Sequence, residues 1–205
     1  FTPGREVELC GHATLASAFV IFERLELEIG SVTFETASGE LGVRREDGML
    51  WMDFPSRPAQ PWEDGGVVAA ALGAQPEEVL RTQLDDPESD KILAVFPDAA
   101  SVEALVPDMQ KVNAIRAQGI VATAPGEGTD IYSRYFAPRV GVAEDPVTGS
   151  AHVVLAPYWT RRLQQNEITA LQGGARRGEM QCRQMGGRVL LGGQAVMVIE
   201  GRFLL

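Results

Sequence analysis

The sequence predicts an α+β protein of two similar lobes, each a sheet wrapped round one central helix. Two runs, at 11–25 and 149–163, begin with glycine, and the first carries apolar or small residues round every face until Glu23, which is typical of buried helices. A predicted strand hairpin with a glycine turn follows each run, at 38–53 and 177–192. The hairpins align with each other from Gly39 and Gly178 onward, which indicates an internal duplication.

The rest of the chain supplies the second lobe and a closing strand. Residues 55–61 contain three prolines and predict a linker. We predict amphipathic helices at 76–84 and 106–118, and strands at 91–96, 119–124, 130–136 and 195–204. We expect the last strand to return to the first lobe. The predicted first lobe is therefore 1–57 with 193–205, and the second is 58–192.

Composition and charge restrict the classes of partner that the protein is expected to bind. The 205 residues are 45% hydrophobic and 22% charged, as in folded proteins. A net charge of -10 repels phosphate backbones and anionic membranes, so we expect no nucleic-acid or membrane partner. No apolar run reaches the roughly 18 residues of a membrane span, and no leader pattern opens the chain. A cytoplasmic location is the resulting expectation.

The cysteine and histidine content predicts neither a disulfide nor a metal site. Two cysteines, Cys10 and Cys182, are the usage of an intracellular protein, and we predict that they are unpaired. Two histidines without ligand spacing leave little from which to build a metal site. The sequence also lacks a phosphate loop, a dinucleotide fingerprint and a nucleophile elbow. Proton chemistry without a cofactor remains.

The start of the first predicted helix places a thiol, a glycine and an imidazole together. Cys10, Gly11 and His12 lie where free backbone N–H groups and the positive end of the helix dipole gather. This arrangement predicts an anion site with an acid/base group at its rim. The structural alternatives are a capping or core role for His12 and a small buried hydrophobe for Cys10.

The start of the second predicted helix offers carboxylates, hydroxyls and a glycine. Asp145, Thr148, Gly149 and Ser150 follow one another closely there, and the same residue types are also ordinary helix caps. The two helix starts together favour a catalytic site. If a duplicated fold directs both of them toward one cleft, they would hold a substrate carboxylate between proton-transfer groups.

Several motifs spread along the chain resemble one family. They are Phe1-Thr-Pro, Glu8-Leu-Cys-Gly-His-Ala-Thr, Ser38-Gly-Glu-Leu, Met52-Asp-Phe-Pro, Ser133-Arg-Tyr-Phe-Ala-Pro, Glu144-Asp-Pro-Val-Thr-Gly-Ser-Ala-His and Ala156-Pro-Tyr-Trp. In this order they resemble the phenazine-biosynthesis PhzF-like family. The resemblance implies the diaminopimelate-epimerase-like fold, with the active site in the cleft between two pseudo-symmetric lobes.

The same resemblance implies the chemistry and the site. The family reaction is an isomerisation by proton transfer without metal or organic cofactor, and its His, Asp and Ser correspond to the catalytic candidates His12, Asp145 and Ser150. We take Cys10, Gly11, Thr148 and Gly149 as substrate-binding candidates. The family's glutamate acid/base precedes Phe-Thr-Pro, where this sequence starts. We therefore expect that an upstream segment or a separate chain supplies it.

Our first functional hypothesis is an isomerase or epimerase acting on a small carboxylated metabolite, and we expect a homodimer. Asp145, beside helix amides, would orient the substrate, whereas His12 would share a proton with it near neutral pH. A Cys-based racemase is an alternative, but the second helix start offers Asp145 where such an enzyme has its second cysteine. The other alternative is a non-catalytic fragment or a binding or interaction protein of the same fold.

Overall fold

The computed structural model describes residues 11–25, 28–36 and 39–201. The chain divides into two compact units, residues 1–53 with 192–205 and residues 54–191. In the described ranges the helices are α1 (Gly11–Val20), α2 (Gly65–Leu72), α3 (Ala99–Glu103), α4 (Met109–Ala114) and α5 (Gly149–Leu163), with a π-helical turn at Ile21–Leu25 and a 3-10 turn at Pro138–Val140. None of these helices combines the length and apolarity needed to span a membrane.

The strands of the described ranges are β1 (Ser31–Thr36), β2 (Gly39–Glu46), β3 (Met49–Pro55), β4 (Gln60–Pro61), β5 (Glu78–Arg81), β6 (Lys91–Val95), β7 (Gly119–Pro125), β8 (Ile131–Ala137), β9 (Val142–Asp145), β10 (Glu167–Gln172), β11 (Gly178–Met185) and β12 (Arg188–Gly193). In the first unit, β1 pairs antiparallel with β2, and β2 pairs antiparallel with β3. Leu41 and Val43 of β2 alternate inward, as expected for a sheet with one buried face.

The predicted repeat of the hairpins is confirmed. β2 and β3 are joined by a turn of two residues, Asp47 and Gly48, and β11 and β12 are joined by Gly186 and Gly187 at the aligned positions. Asp47 and Gly48 have φ values of 50° and 77°, and Gly186 has φ of 59°. Tight hairpin turns need this left-handed backbone, which explains why glycine occupies both turns.

The first predicted helix forms, but the prediction that it is buried on every face is wrong. In α1 only Gly11 and Ala18 are buried, and Phe22 is buried in the π-helical turn that follows. His12 is exposed. The run is rich in small residues, and small residues tolerate burial and exposure alike. Its composition therefore did not determine how much of the helix is covered.

The second unit is built on a mostly antiparallel sheet. Its strands lie in the order β12-β11-β10-β8-β7-β6-β5-β4, and β9 pairs with β8 outside this sequence. The pairs β6–β7 and β8–β10 are parallel. One core cluster forms where α2 and the sheet meet, and it includes Leu72, Ile92, Phe96, Ile120 and Phe136. The predicted strands at 91–96, 119–124 and 130–136 are confirmed as β6, β7 and β8.

The central helix α5 is the buried helix that the sequence predicted. Leu155 and Trp159 are almost fully buried, and the Trp159 indole N–H donates to the Thr123 hydroxyl at 3.0 Å. Pro157 lacks an N–H, so the Val153 carbonyl one turn earlier loses its helical donor. The backbone N–H of Arg57 donates to that carbonyl at 2.9 Å instead. The proline is thus accommodated by a contact from a distant segment.

Two predicted helices take other forms. The segment at 76–84 forms strand β5, because Val79 and Leu80 pair with β6 and the buried Leu80 packs in the sheet. The segment at 106–118 is helical only in α4. The Asp108 carboxylate caps the start of α4 by accepting from the N–H groups of Gln110 and Lys111. Ile115 is already extended, so the helix ends there.

The predicted closing strand at 195–204 is not formed in its described part. Residues 194–201 have no regular secondary structure, and 202–204 lie outside the described residues. Val196, Val198 and Ile199 are 75%, 84% and 85% exposed. A run of β-branched residues favours a strand, but a strand also requires a partner edge, which a local pattern does not reveal.

Candidate active site

The second helix start forms a closely bonded loop. Residues 144–150, called the α5 entrance below, lead from β9 into α5. Thr148 is the N-cap residue, yet its side chain does not cap the helix. Its hydroxyl donates instead to Oδ2 of Asp145 at 2.7 Å. The alternative of ordinary side-chain capping by Thr148 is therefore wrong, and this hydroxyl holds the Asp145 carboxylate.

A buried glutamine at the end of β10, Gln172, forms hydrogen bonds with the α5 entrance. Nε2 of Gln172 donates to the Asp145 carbonyl at 2.7 Å and to the Thr148 hydroxyl at 3.0 Å. Oε1 of Gln172 accepts from the Thr148 N–H at 3.1 Å. Both ends of this amide are satisfied, so the network is rigid. Gln172 was not among the predicted site residues, because it lies 24 positions from Thr148 and belongs to no local motif.

The start of α5 leaves two backbone donors without a protein acceptor. The Thr148 carbonyl accepts from the N–H groups of Ala151 and His152, at 3.1 and 3.4 Å. In the described part of the chain, the N–H groups of Gly149 and Ser150 donate to no protein atom. The positive end of the helix dipole lies at the same place. The α5 entrance therefore has the donors that bind a carboxylate or another small anion.

An ion pair anchors the α5 entrance to the sheet. Glu144 accepts two hydrogen bonds from Arg134 on β8, each 2.8 Å long. Nη1 of the same guanidinium donates to the carbonyls of Val102, Glu103 and Leu105 at 3.3, 3.2 and 2.8 Å. The hydrogen bonds from Arg134 lower the pKa of Glu144, so this carboxylate stays ionised. Glu144 is a structural anchor, and it leaves Asp145 as the carboxylate beside the free amides.

A buried tyrosine adjoins this carboxylate on the neighbouring strand. Tyr135 pairs with Asp145 in the register of β8 and β9, and its ring is buried. Burial raises the pKa of Tyr135, and the negative charge of Asp145 raises it further. The phenol therefore stays protonated at neutral pH. Its hydroxyl donates to Oε1 of Gln118 at 3.4 Å, so it does not serve as a base at the α5 entrance.

His152 is a second residue of this loop that was not among the predicted site residues. It is fully buried, and its Nδ1 lies 2.8 Å from the Thr148 carbonyl. A carbonyl only accepts, so the ring proton is on Nδ1. Nε2 has no hydrogen-bond partner among the described residues. Burial lowers the pKa of His152 despite the bond to Thr148, so the imidazole is neutral and braces the α5 entrance.

We expect this histidine to make stability depend on pH. Unfolded, its imidazole takes up a proton below about pH 6.5, whereas the buried ring does so only at lower pH. Its contribution to stability is therefore complete above about pH 6.5 and is lost as pH falls, at up to about 1.4 kcal/mol per pH unit. Urea unfolding between pH 7.5 and 5 should show a weaker pH dependence in His152→Gln than in the wild type. Equal slopes in His152→Gln and the wild type would contradict the assignment.

Gly178 on β11 packs closely against Val147 of the α5 entrance. A Cβ added at Gly178 would lie 2.2 Å from Cγ2 of Val147, so only glycine fits against this part of the α5 entrance. We expect Gly178→Ala to reduce the free energy of unfolding by about 1–3 kcal/mol, the usual cost of overpacking. Val147→Ala in the same chain should restore part of that loss, which chemical denaturation of the four proteins in the double-mutant cycle measures. Additive losses would show that the two residues do not compete for space.

The candidates from the first helix start lie in the first unit. Gly11 is buried as the first residue of α1, and the exposed His12 follows it. Cys10 lies outside the described residues. Cys182 is a free, fully buried thiol on β11, and burial raises its pKa. A buried, protonated thiol is a poor nucleophile and a poor base, so Cys182 does not fit a two-thiol mechanism.

The structure thus brings Asp145, Thr148, Gly149 and Ser150 together in one entrance, and it places Gly11 and His12 at the start of the other helix. Within the described ranges, no cluster of three or more His, Cys, Asp or Glu side chains has the arrangement of a metal site. The residues at the α5 entrance are therefore suited to two tasks, binding an anion at the free amides and orienting a polar group against the Asp145 carboxylate.

Comparisons with known proteins place this fold in one class. The fold is the diaminopimelate-epimerase-like α+β fold, as predicted: a crystal structure of a PhzF-family phenazine biosynthesis protein from Enterococcus faecalis matches 100% of this chain and 76% of that chain, with a TM-score of 0.90 and 35% identity. Residues 1–201 match the family of phenazine biosynthesis-like proteins. The chain belongs to this PhzF family.

Its relatives include proteins named as enzymes. The chain is 44% identical to each of two uncharacterized isomerases of Pseudomonas aeruginosa. The alignments span 201 and 207 residues, which are 98% and 100% of this chain and 75% and 76% of those proteins. The names give the class of reaction for those two proteins, and they give no substrate.

Proposed function

We propose that this protein is an isomerase that moves a proton within a small carboxylated metabolite without a cofactor. The observation that carries the proposal is the α5 entrance, where the free N–H groups of Gly149 and Ser150 lie in the same short loop as the fixed carboxylate of Asp145. Membership in a family with relatives named isomerases supports the class of reaction.

The proposed chemistry divides the work between binding and proton transfer. The substrate carboxylate accepts hydrogen bonds from the two amides at the start of α5, assisted by the helix dipole. Asp145 orients the substrate, because the Thr148 hydroxyl already holds its carboxylate in place. His12 shares the migrating proton, the task that histidine most often performs in acid/base catalysis. One C–H bond breaks and another forms, so substrate and product have the same composition.

Exchange of hydrogen with solvent tests this proposal. The full-length protein is incubated in D₂O with a panel of small hydroxy, amino and dihydroaromatic acids, and each acid is followed by NMR and mass spectrometry. We expect at least one acid to take up deuterium from solvent and to yield an isomer. The same panel is screened by thermal shift, where a ligand at 100 times its Kd adds about 2.7 kcal/mol to stability.

The two measurements separate the possible outcomes. Deuterium uptake that Asp145→Asn abolishes supports the isomerase. Binding without exchange by any acid would contradict catalysis and favour a binding protein of the same fold. Exchange that continues undiminished in both His12→Gln and Asp145→Asn would reject the assigned residues. Neither binding nor exchange across the panel would overturn the carboxylate as the substrate class.

A further inference from the structure

Two neighbouring cavities lie in the second unit, away from the α5 entrance. Their volumes are about 510 and 490 Å³, within the range of small-molecule sites. They share three lining residues, Trp62, Arg81 and Arg116. No residue of the α5 entrance lines either cavity. The two cavities therefore form one surface region whose chemistry is independent of the proposed reaction.

The wall between the cavities is rigid. The guanidinium carbon of Arg81 lies 5.3 Å from the centre of the Trp62 ring, a cation–π contact. Nε of Arg81 donates to the buried Asp90 carboxylate at 2.9 Å, and Nη2 donates to the Arg116 carbonyl at 2.7 Å. Asp90 is held in turn by the Thr82 hydroxyl at 2.9 Å. The half-buried Trp62 ring is therefore a fixed aromatic surface.

The second cavity combines an apolar floor with a cationic rim. Its apolar lining comprises Val67, Ala70, Ala114 and Ile115 beside Trp62. Lys111 and Arg116 stand at the rim, with side chains 59% and 69% exposed. Their ion pairs, to Asp108 at 3.5 Å and Glu88 at 3.7 Å, are loose and solvated. Both cations are thus free to turn toward a bound anion.

The lining of the second cavity contains cations although the whole protein is acidic. The chain carries a net charge of -10, yet among the described residues the second cavity is lined by three cations and by no carboxylate. Each cation has an ion-pair partner outside the lining, and the partners of Lys111 and Arg116 are the loose, exposed ones. An apolar floor beside exposed cations that can exchange a loose surface partner for a ligand suits a molecule that is both apolar and anionic. A neutral apolar ligand would leave the cations unused, and a purely polar anion would leave the aromatic floor in contact with water.

We propose that the second cavity binds a small aromatic carboxylate. The ring of the ligand stacks on Trp62 above the apolar floor, and its carboxylate faces Lys111 and Arg116. The fixed Arg81 side chain, already bonded to Asp90, keeps the indole in place. Because the α5 entrance contributes nothing to this cavity, the site is independent of the proposed isomerase and would persist if that proposal failed.

Calorimetric titration with 2-naphthoate tests the proposed site in the full-length protein. We expect saturable binding of one molecule per chain, weaker binding of the neutral 2-naphthamide, and a loss of affinity at high ionic strength. The ¹H–¹⁵N spectrum should show a shift of the Trp62 indole N–H. The indoles of Trp51 and Trp159, which are 2% and 1% exposed, serve as internal references and should not respond.

Variants locate the binding. Lys111→Gln and Arg116→Gln should each weaken 2-naphthoate about threefold, and the double variant about tenfold, as expected for exposed charges. Val67→Asp should also weaken binding, since it places a carboxylate on the 50% exposed apolar edge. Arg161→Gln removes an exposed cation elsewhere and should change nothing.

Three results would overturn the site. They are failure of 2-naphthoate to saturate at millimolar concentration, equal affinity in the Lys111→Gln/Arg116→Gln double variant, and loss of affinity in Asp145→Asn. The last result would mean that 2-naphthoate occupies the α5 entrance. It would leave the isomerase proposal intact while removing this one, so the two failures are distinguishable.

Discussion

We expect His12→Ala and Asp145→Ala each to lower turnover by about 100-fold or more, the usual contribution of a positioned acid/base or orienting group. Both variants should still fold. His12 is exposed, and the loop that carries Asp145 remains bonded to Gln172 through the Asp145 carbonyl and through the amide and hydroxyl of Thr148. The measurement is turnover of the substrate found by deuterium exchange, with circular dichroism and thermal unfolding of each variant.

A matched control separates the site from a general effect of charge. Glu127→Ala removes an exposed carboxylate from a loop outside the α5 entrance, and it should retain full turnover. Asp145→Asn keeps an acceptor for the Thr148 hydroxyl, so it should recover stability but not activity. Full turnover in both alanine variants would reject the assigned residues. Loss of folding in both would return His12 and Asp145 to structural roles.

The parts of the fold that the sequence predicted are those with strong local signals. Glycine turns set the hairpins β2–β3 and β11–β12, since these turns require a left-handed backbone. Helix α5 was predictable because fifteen residues carry an apolar pattern from a glycine start, and the burial of Leu155 and Trp159 agrees with it. The predictions failed at 76–84 and 195–204. In both segments, secondary structure depends on whether a strand partner is present, and a local pattern does not contain that information.

In the candidate site, too, only the residues with a local sequence signal were predicted. Asp145, Thr148, Gly149 and Ser150 are contiguous, so one motif at a helix start revealed all of them. The residues that hold this motif come from elsewhere in the chain. Gln172 acts from β10 and Arg134 from β8, and neither has a spacing that distinguishes it from an ordinary surface residue. His152 is the exception. It lies one turn into α5, and helical periodicity predicts that it faces the Thr148 carbonyl.

The second large effect should come from Arg134, the anchor of the α5 entrance. We expect Arg134→Met to reduce the free energy of unfolding by about 2–4 kcal/mol. The methionine has no guanidinium to lie over the Phe136 ring, and it leaves the Glu144 carboxylate without its partner and three carbonyls near the end of α3 without a donor. The Arg134 and Glu144 side chains are only 11% and 26% exposed, so water replaces these bonds poorly. Urea unfolding at pH 7 measures the loss.

The control is an arginine in a similar but exposed setting. Arg162 bonds to Glu78 and stacks on Trp159, and the Arg162 and Glu78 side chains are 41% and 46% exposed. Arg162→Met should therefore cost less than about 1 kcal/mol. If Arg134→Met costs no more than this control, the bonds at β8 do not anchor the α5 entrance. Turnover is a second measurement. Arg134→Met should lower it, because only the loss of Arg134 displaces the loop that carries Asp145, whereas Arg162→Met should not.

The pH dependence of stability separates the ion pair from simple packing. Arg134 lowers the pKa of Glu144 from its ordinary value of 4.5, so the stability gained from the pair is complete above about pH 4.5 and is lost as pH falls through the lowered pKa. The difference in stability between wild type and Glu144→Gln should therefore shrink between pH 5 and pH 3. His152 acts in a higher range, below about pH 6.5, so the two contributions appear in different parts of one titration. A difference that stays constant down to pH 3 would mean that the Glu144 side chain stabilises the loop by its shape and not by its charge.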